Sequence, residues 1–544
     1  MSEFKQKTTN IDEILKQLGW FGRYQQKRWI LFIIIIWVLL LTEFSYVFST
    51  INPKYRCLVP DCETASNTEY KPVWLSNAVP FKGKQPSRCK RFQIKADKEH
   101  RSTGECDSDL FNYNVIEDCD EFVYDTKHTT IIQDFNLLCE KVWMIAIPGS
   151  LHAIALFLAL PTTGYIADRI GRKKVIIFGV VLGGLFCFIK SFSISISMFV
   201  ICEFLQAASA GGSFTSVYTL IAEFTPAENR LLGCVISFGC LSLAQMSIAG
   251  IAWMSNSWRL FLRLVTIPTA LVLFFMPFFL PESIRWLISQ NKISEATAIL
   301  ENIAQENGTE LKEEHKLQLK VMLDNSKDSN KIRNESLKDV FKSIPMVIRL
   351  VTCSICWISC TFIYHGLFIM AGEISGYRYL NFILVGLAEM PGSIICYVSC
   401  NRYGRRLTMS VGLITVGICC GFYIFIPDGH WLRLIMFLLS KSAITAALGT
   451  LYIIVAEMYP TSFRVTLING CSMFGRIGQL ITPTMPILAT YWNILPILIF
   501  SLVSTTAGFL SLILPETLNT TLPDTIEEAV NINKKTVINP LLYG

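Results

Sequence analysis

Charge is scarce in this chain. Asp, Glu, Lys and Arg make up 17% of its 544 residues, against 52% hydrophobic side chains, and the mean hydropathy is +0.44. A soluble chain of this length divides into domains with far more charge, so that class is excluded. Histidine is rarer still, with six residues, and no paired His or acid completes a zinc set with the cysteines. No Gly-x-x-x-x-Gly-Lys-Ser/Thr loop is present, so ATP hydrolysis is not built in. No nucleophile–base set points to an enzyme. The net charge of +6 is too small and too clustered at loops to suggest nucleic acid. Residues 1–28 lack a short apolar core before a small-residue cleavage site, so they do not read as a cleavable signal.

What is present is a series of apolar runs of about 20 residues, the length that crosses a bilayer core as helix. The first is Trp29–Ser49. Five more follow, at Met144–Ala167, Val175–Ser193, Ser195–Ala222, Leu232–Met254 and Arg259–Leu280. A second set of six lies at Pro345–Met370, Leu380–Cys400, Leu407–Ile426, Trp431–Ala456, Thr466–Thr490 and Asn493–Leu514. The expected fold is an all-α membrane protein with twelve transmembrane helices in two six-helix halves. The expected division is a tail at 1–28, a first half at 29–280, an inter-half segment at 281–344, a second half at 345–514 and a tail at 515–544. Ser294–Ile303 in the inter-half segment reads as a short amphipathic helix.

Arg23, Lys27 and Arg28 precede the first run, which predicts a cytoplasmic N-terminus. Twelve spans return the C-terminus to the same side. The polar segment 50–142 then faces the outside. It holds Cys57, Cys62, Cys89, Cys106, Cys119 and Cys139, an even number in an oxidising compartment, which predicts three disulfides among fifteen connectivities. The glycosylation triplets at Asn307, Asn334 and Asn519 fall in segments read as cytoplasmic, and so as chance matches.

The two halves repeat. Glu223 precedes Arg230 by seven residues with a proline between, and Glu457 stands in the same relation to Arg464. Glu223 and Glu457 are 234 apart, as are Arg230 and Arg464, Pro281 and Pro515, and Trp258 and Trp492. Gly171 and Gly404 are 233 apart, and each sits in a short basic turn between two apolar runs: Asp168-Arg169-Ile170-Gly171-Arg172-Lys173-Lys174, and Asn401-Arg402-Tyr403-Gly404-Arg405-Arg406. Tandem halves of this kind are a transporter architecture, with the substrate site between them near the midplane.

The Asp168–Lys173 motif, with this repeat, resembles the loop motif of the major facilitator superfamily. Gly22-Arg23-Tyr24-Gln25, the six-cysteine segment, Pro281–Leu287, Glu457–Arg464, Leu514–Thr517 and Leu522–Ala529 resemble the organic cation, anion and carnitine transporter family of solute carriers. The resemblance spans nearly the whole chain. It implies alternating access for small organic ions at the plasma membrane, leaning to organic cations or carnitine-like zwitterions, with an organic anion carrier or a non-transporting ligand sensor as the alternatives. The expected drive is the solute gradient, the membrane potential or a coupled Na+ or H+, and no cofactor or metal is expected.

Two residue sets carry the expected chemistry. Asp168, Arg169, Gly171, Arg172, Arg405, Glu223, Arg230, Glu457 and Arg464 form the gating set. The basic residues fix orientation, and the acids among them add gating, because orientation needs only positive charge. Asp168 is expected to cap a neighbouring helix or to pair with a basic side chain, and Glu223–Arg230 and Glu457–Arg464 to pair across the halves. The second set is buried charge, costly in a bilayer and therefore functional by default. Glu389, Lys441, Arg476 and Glu203 belong to it, whereas Glu43 and Lys190, near helix ends, are expected to snorkel. The family resemblance assigns an acid at the Glu389 position to cation and carnitine carriers and a basic residue at the Arg476 position to anion and carnitine carriers. Glu389 is thus expected to meet an ammonium group and Arg476 a carboxylate, with Lys441 adding positive field. Mutual pairing inside the bundle is the structural alternative. Relatives carry a basic residue at the Glu203 position; here the acid either adds a cation site or pairs with Arg476 or Lys441. Trp357 and Tyr364, seven apart on one helical face, resemble cation-site aromatics, and packing is their other reading.

Overall fold

In a computed structural model, the described residues are 11–532 apart from 20, 60–61, 64–68, 83–84, 96–105, 126–127, 226–229, 312–336, 375–376, 428, 461–463, 519, 521–522 and 524–525. Twelve long helices build the bundle. The first half holds α1 (Arg23–Glu43), α2 (Ala146–Ile170), α3 (Arg172–Lys190), α4 (Ile196–Phe224), α5 (Arg230–Met254) and α6 (Trp258–Phe279). The second holds α7 (Ile344–Met370), α8 (Arg378–Tyr403), α9 (Arg405–Phe425), α10 (Trp431–Met458), α11 (Arg464–Ile481) and α12 (Leu495–Ser511).

Among the described residues, nine of these are long and apolar enough to cross a membrane. The three others have visible reasons. α3 starts with Arg172, Lys173 and Lys174 and ends with Lys190. α11 carries Asn469, Arg476 and Gln479. α12 is only 17 residues long. The eleventh span, expected as one run to Thr490, is broken: α11 ends at Ile481, a 3-10 turn covers Thr482–Thr484, and a short helix resumes at Met485–Tyr491. Pro483 and Pro486 remove the amide donors a continuous helix would need there.

Within the first half α3 and α2 pack on α4 and α1 on α5; within the second, α9 packs on α10 and α12, α7 on α11 and α8 on α10. The halves meet along two seams, α5 with α8 and α2 with α11. Exchanging each helix for its counterpart in the other half, α5 for α11 and α8 for α2, turns one seam into the other, as a pseudo-two-fold axis between the halves requires.

Segment 50–142 is not irregular loop. It forms three two-stranded antiparallel ribbons: Tyr55–Cys57 with Phe122–Tyr124, Phe81–Lys82 with Gln85–Pro86, and Lys90–Ile94 with Phe111–Asp118. Disulfides Cys57–Cys119, Cys62–Cys106 and Cys89–Cys139 tie them together. They surround a small core of Val59, Leu75, Ala78, Val79 and Phe111. Arg56 and Glu63 form a buried bidentate pair at 2.6 and 2.7 Å. So small an apolar core needs cross-links to hold its shape.

On the opposite face, Ile293–Asn307 is the amphipathic helix read from sequence. Asn307 at its end donates to the Leu18 carbonyl at 2.8 Å and accepts from the Tyr24 amide at 3.0 Å, docking the helix under α1. These partly buried contacts engage both ends of the Asn307 amide. The triplets at Asn334 and Asn519 lie outside the described residues. Arg349 of α7 donates to the carbonyls of Ala529 and Val530, which anchors the C-terminal segment in the same way.

Candidate transport site between the halves

The gating set resolves into two copies of one device. Gly171 has φ +102° and Gly404 φ +94°, so both turns need glycine. A Cβ on Gly171 would also lie 2.3 Å from Glu282 Oε2, and one on Gly404 2.5 Å from Glu516 Oε2. These two carboxylates cap the helices that follow. Glu282 accepts from the amides of Arg172 (2.9 Å) and Lys173 (3.2 Å), and Glu516 from those of Arg405 (2.9 Å) and Arg406 (3.1 Å). A carboxylate on the first amides of a helix satisfies orphan donors and opposes the helix dipole. The capping expected of Asp168 is therefore done by Glu282. The Asp168 side chain is 74% exposed, 3.4 Å from Arg172, while its carbonyl accepts from Trp286 Nε1 at 2.8 Å. Arg169 lies over the exposed Tyr165 ring.

Arg172 reaches Glu223 at 3.2 Å, and Arg405 reaches Glu457 at 3.0 Å. Each of these pairs lies within one half, joining a short arginine turn to the end of α4 or α10 in the same bundle. The side chains of Arg230 and Arg464 lie outside the described residues. Glu282 and Glu516 were missed as site residues, although their Pro-Glu motifs stood at the 234-residue interval.

Deeper in the second half, Glu389 and Lys441 form an ion pair at 2.8 Å, both side chains 0% exposed. Lys441 Nζ also donates to the Tyr364 carbonyl at 3.0 Å and lies 3.5 Å from the Tyr364 ring centroid. Lys441 thus neutralises Glu389 directly instead of adding positive field for Arg476. The first half contributes too. Gln245 Nε2 on α5 donates to the Tyr364 hydroxyl at 2.9 Å, and Ser242 Oγ lies 3.4 Å from Glu389 Oε2. Nothing in the sequence singled out Gln245 or Ser242, since polar uncharged residues are common in spans.

Trp357 is buried edge-on to Tyr452 of α10 at 4.5 Å, so Trp357 and Tyr364 both face α10. The Trp357 indole Nε1 and Gln245 Oε1 are buried without hydrogen-bond partners among the described residues. Arg476 is half-buried on α11 and donates to the neutral Gln479 at 2.8 Å. The structure thus joins Glu389, Lys441, Tyr364 and Trp357 along α10, with Arg476 on the neighbouring α11.

Glu203 is not part of that group. It sits in the first half, bonded to Lys190 Nζ at 2.5 Å and to His152 Nδ1 at 2.7 Å, all three fully buried. The expected pairing of Glu203 with Arg476 or Lys441 is thereby corrected, since its partners are Lys190 and His152. Lys190 does not snorkel: Ser45 Oγ and Gln206 Oε1 complete its shell at 3.0 and 2.7 Å. Sequence position near a helix end misled here because the partner lies across a tight turn in α4. Glu43 is half-buried.

At the disulfide-bearing end, aromatic rings close the space between the halves. Phe44 and Phe48 of the first half meet Phe368 and Phe382 of the second at centroid distances of 5.0 and 4.6 Å. Beside them Ser150 Oγ donates to the Leu480 carbonyl across the second seam at 2.9 Å.

Comparisons with known proteins agree with this architecture. The family model described as "Sugar (and other) transporter" matches residues 92–528. Solute carrier family 22 member 2 of Oryctolagus cuniculus is 30% identical over 544 residues, covering 96% of each chain. The organic cation transporter protein of Drosophila melanogaster is 29% identical over 531 residues, 96% of this chain and 95% of that one. The inward open xylose transporter XylE of E. coli has the same fold, with a TM-score of 0.60 at 14% identity over 93% of this chain and 99% of its own.

Proposed function

The chain belongs to the sugar (and other) transporter family, in its solute carrier 22 branch, and on that premise we propose that it carries small organic ions across the plasma membrane by alternating access. Organic cations and carnitine-like zwitterions are its preferred class. Both termini face the cytoplasm, and the disulfide domain faces outside. The drive is a solute gradient, the membrane potential, or a coupled Na+ or H+.

One observation carries this reading: the buried Glu389–Lys441 pair, framed by Tyr364 and Trp357 and touched from the other half by Gln245 and Ser242. A buried pair is stable only while both charges stay matched. A zwitterion matches both: its ammonium replaces Lys441 at Glu389, and its carboxylate takes Lys441 or Arg476. A simple cation engages Glu389 and the aromatic faces. Because Gln245 and Ser242 belong to the other half, occupancy of this site bears directly on how the halves meet. The turns around Gly171 and Gly404 hold the helix ends at the cytoplasmic face while the halves move.

An organic anion is the second reading, favoured by the one observation that Arg476 is bonded by a neutral partner rather than a carboxylate. The test is uptake of tetraethylammonium, carnitine and para-aminohippurate by proteoliposomes holding the full chain, with and without sodium. Accumulation of the first two supports the reading. Accumulation of para-aminohippurate alone replaces it with the anion reading, and binding without accumulation makes the chain a ligand sensor of the same fold.

A further inference from the structure

The first-half cluster is left unused by that reading, and its chemistry is specific. Glu203 shares its two carboxylate oxygens between Lys190 and His152. A carboxylate at 2.7 Å from Nδ1 only accepts, so Nδ1 carries the ring proton. The other nitrogen, Nε2, then presents a lone pair. It is fully buried and has no hydrogen-bond partner among the described residues. An unpartnered acceptor on an imidazole, with the charge to stabilise the imidazolium already in place on the other side of the ring, is a proton-binding position.

Its surroundings tie that position to the transport cycle. His152 lies two residues from Ser150, which closes the α2–α11 seam on Leu480. The Tyr46 ring stands 5.0 Å from the imidazole. The titratable groups facing the cluster are Lys190 and Cys187 on α3, Glu203 and Cys202 on α4, and Tyr46 and Glu43 around the break after α1. From the second half, His365 on α7 lies within electrostatic reach of His152, Arg476 and Lys441 alike.

Charge balance sets the direction. With His152 neutral, Lys190 cancels Glu203, just as Lys441 cancels Glu389. A proton on Nε2 leaves the first cluster with one positive charge, and an organic cation at Glu389 does the same to the second. In a low-dielectric interior two such charges oppose each other, so the sites load in alternation. We infer that His152 is the coupling-proton site and that the protein exchanges one proton for one organic cation. The proton comes from water on one side to Nε2 and leaves Nε2 to water on the other, while Nδ1–H keeps donating to the Glu203 carboxylate throughout.

This inference rests on the transport reading, and the experiment separates the two. The full chain is reconstituted in liposomes clamped at zero potential with valinomycin and equal potassium, with tetraethylammonium as the probe. Counterflow without a pH gradient reports transport. Uptake with the interior about one pH unit more acidic reports coupling, and one-for-one exchange sets a limit of about tenfold accumulation. The expected ratio of gradient-driven to counterflow flux is well above one in wild type and near one in His152→Gln, while His365→Gln keeps the wild-type ratio. Because the ratio is normalised to active carrier, partial misfolding of a variant does not change it. Counterflow that runs without response to the gradient, a response of opposite sign, or a His152→Gln ratio equal to wild type overturns the inference alone. Absence of counterflow overturns the transport reading and the inference with it.

Discussion

Each half buries a lysine–glutamate pair, yet the two pairs are not copies. Lys190–Glu203 of the first half adds Ser45, Gln206 and His152, all from its own half. Lys441–Glu389 of the second has aromatic faces and groups from the other half beside it. The repeat interval links neither pair, whereas it links Glu223 to Glu457, Arg172 to Arg405 and Glu282 to Glu516 to within one residue. Duplication has preserved the capped turns around Gly171 and Gly404 and let the interiors diverge. The difference fits the division of labour proposed above: a multiply bonded cluster within one half suits a proton, and a pair shared across the seam suits a solute that must arrive and leave.

That contrast is broken most strongly by removing one partner of the sealed cluster. Lys190→Met leaves the Glu203 carboxylate buried with only His152, and a loss of about 3–5 kcal/mol is expected. Thermal unfolding in detergent should show it as a large drop in midpoint and surface expression should collapse. A midpoint near wild type would mean that Glu203 is not held as a charge.

Next in size is Glu389→Gln. Uptake of tetraethylammonium and carnitine should fall by roughly tenfold to a hundredfold, the worth of a buried charge-assisted contact of about 1.5–3 kcal/mol. Para-aminohippurate should change much less. Equal loss for all three solutes would make the second-half pair structural like the first. The smallest effects should come from the shared capped turns. Glu282→Gln weakens a helix cap by about 1 kcal/mol and should slow transport severalfold. The exposed Asp168→Asn should change transport by less than about twofold. A larger effect at Asp168 than at Glu282 would restore the loop acid as the main gate.

Much of this molecule was legible beforehand, and the boundary has a physical cause. Run length and the 234-residue interval yield twelve helices and two halves, because bilayer thickness and duplication both act along the sequence. Glu389, Lys441, Tyr364 and Trp357 were legible as rare charges and aromatics in apolar runs. Their pairing was not, since it depends on how α8 and α10 rotate about their axes. The same holds for Lys190, read as snorkelling from its place near a helix end, and for Arg172 and Arg405, whose partners lie within a half. His152 carried no signal, being one histidine in an apolar run. The ribbons of segment 50–142 are two to eight residues long, too short to stand out beside cysteines that hold them in place.

The central claim is that the two buried pairs do different work. It is tested most directly by measuring, in the same liposomes, solute preference and pH-gradient response for His152→Gln and Glu389→Gln. The expected result is a double dissociation: His152→Gln loses the gradient response and keeps the cation-over-anion preference, while Glu389→Gln loses the preference and keeps the response per unit of counterflow. If both variants lose both properties together, the pairs act as one structural unit and the account is wrong.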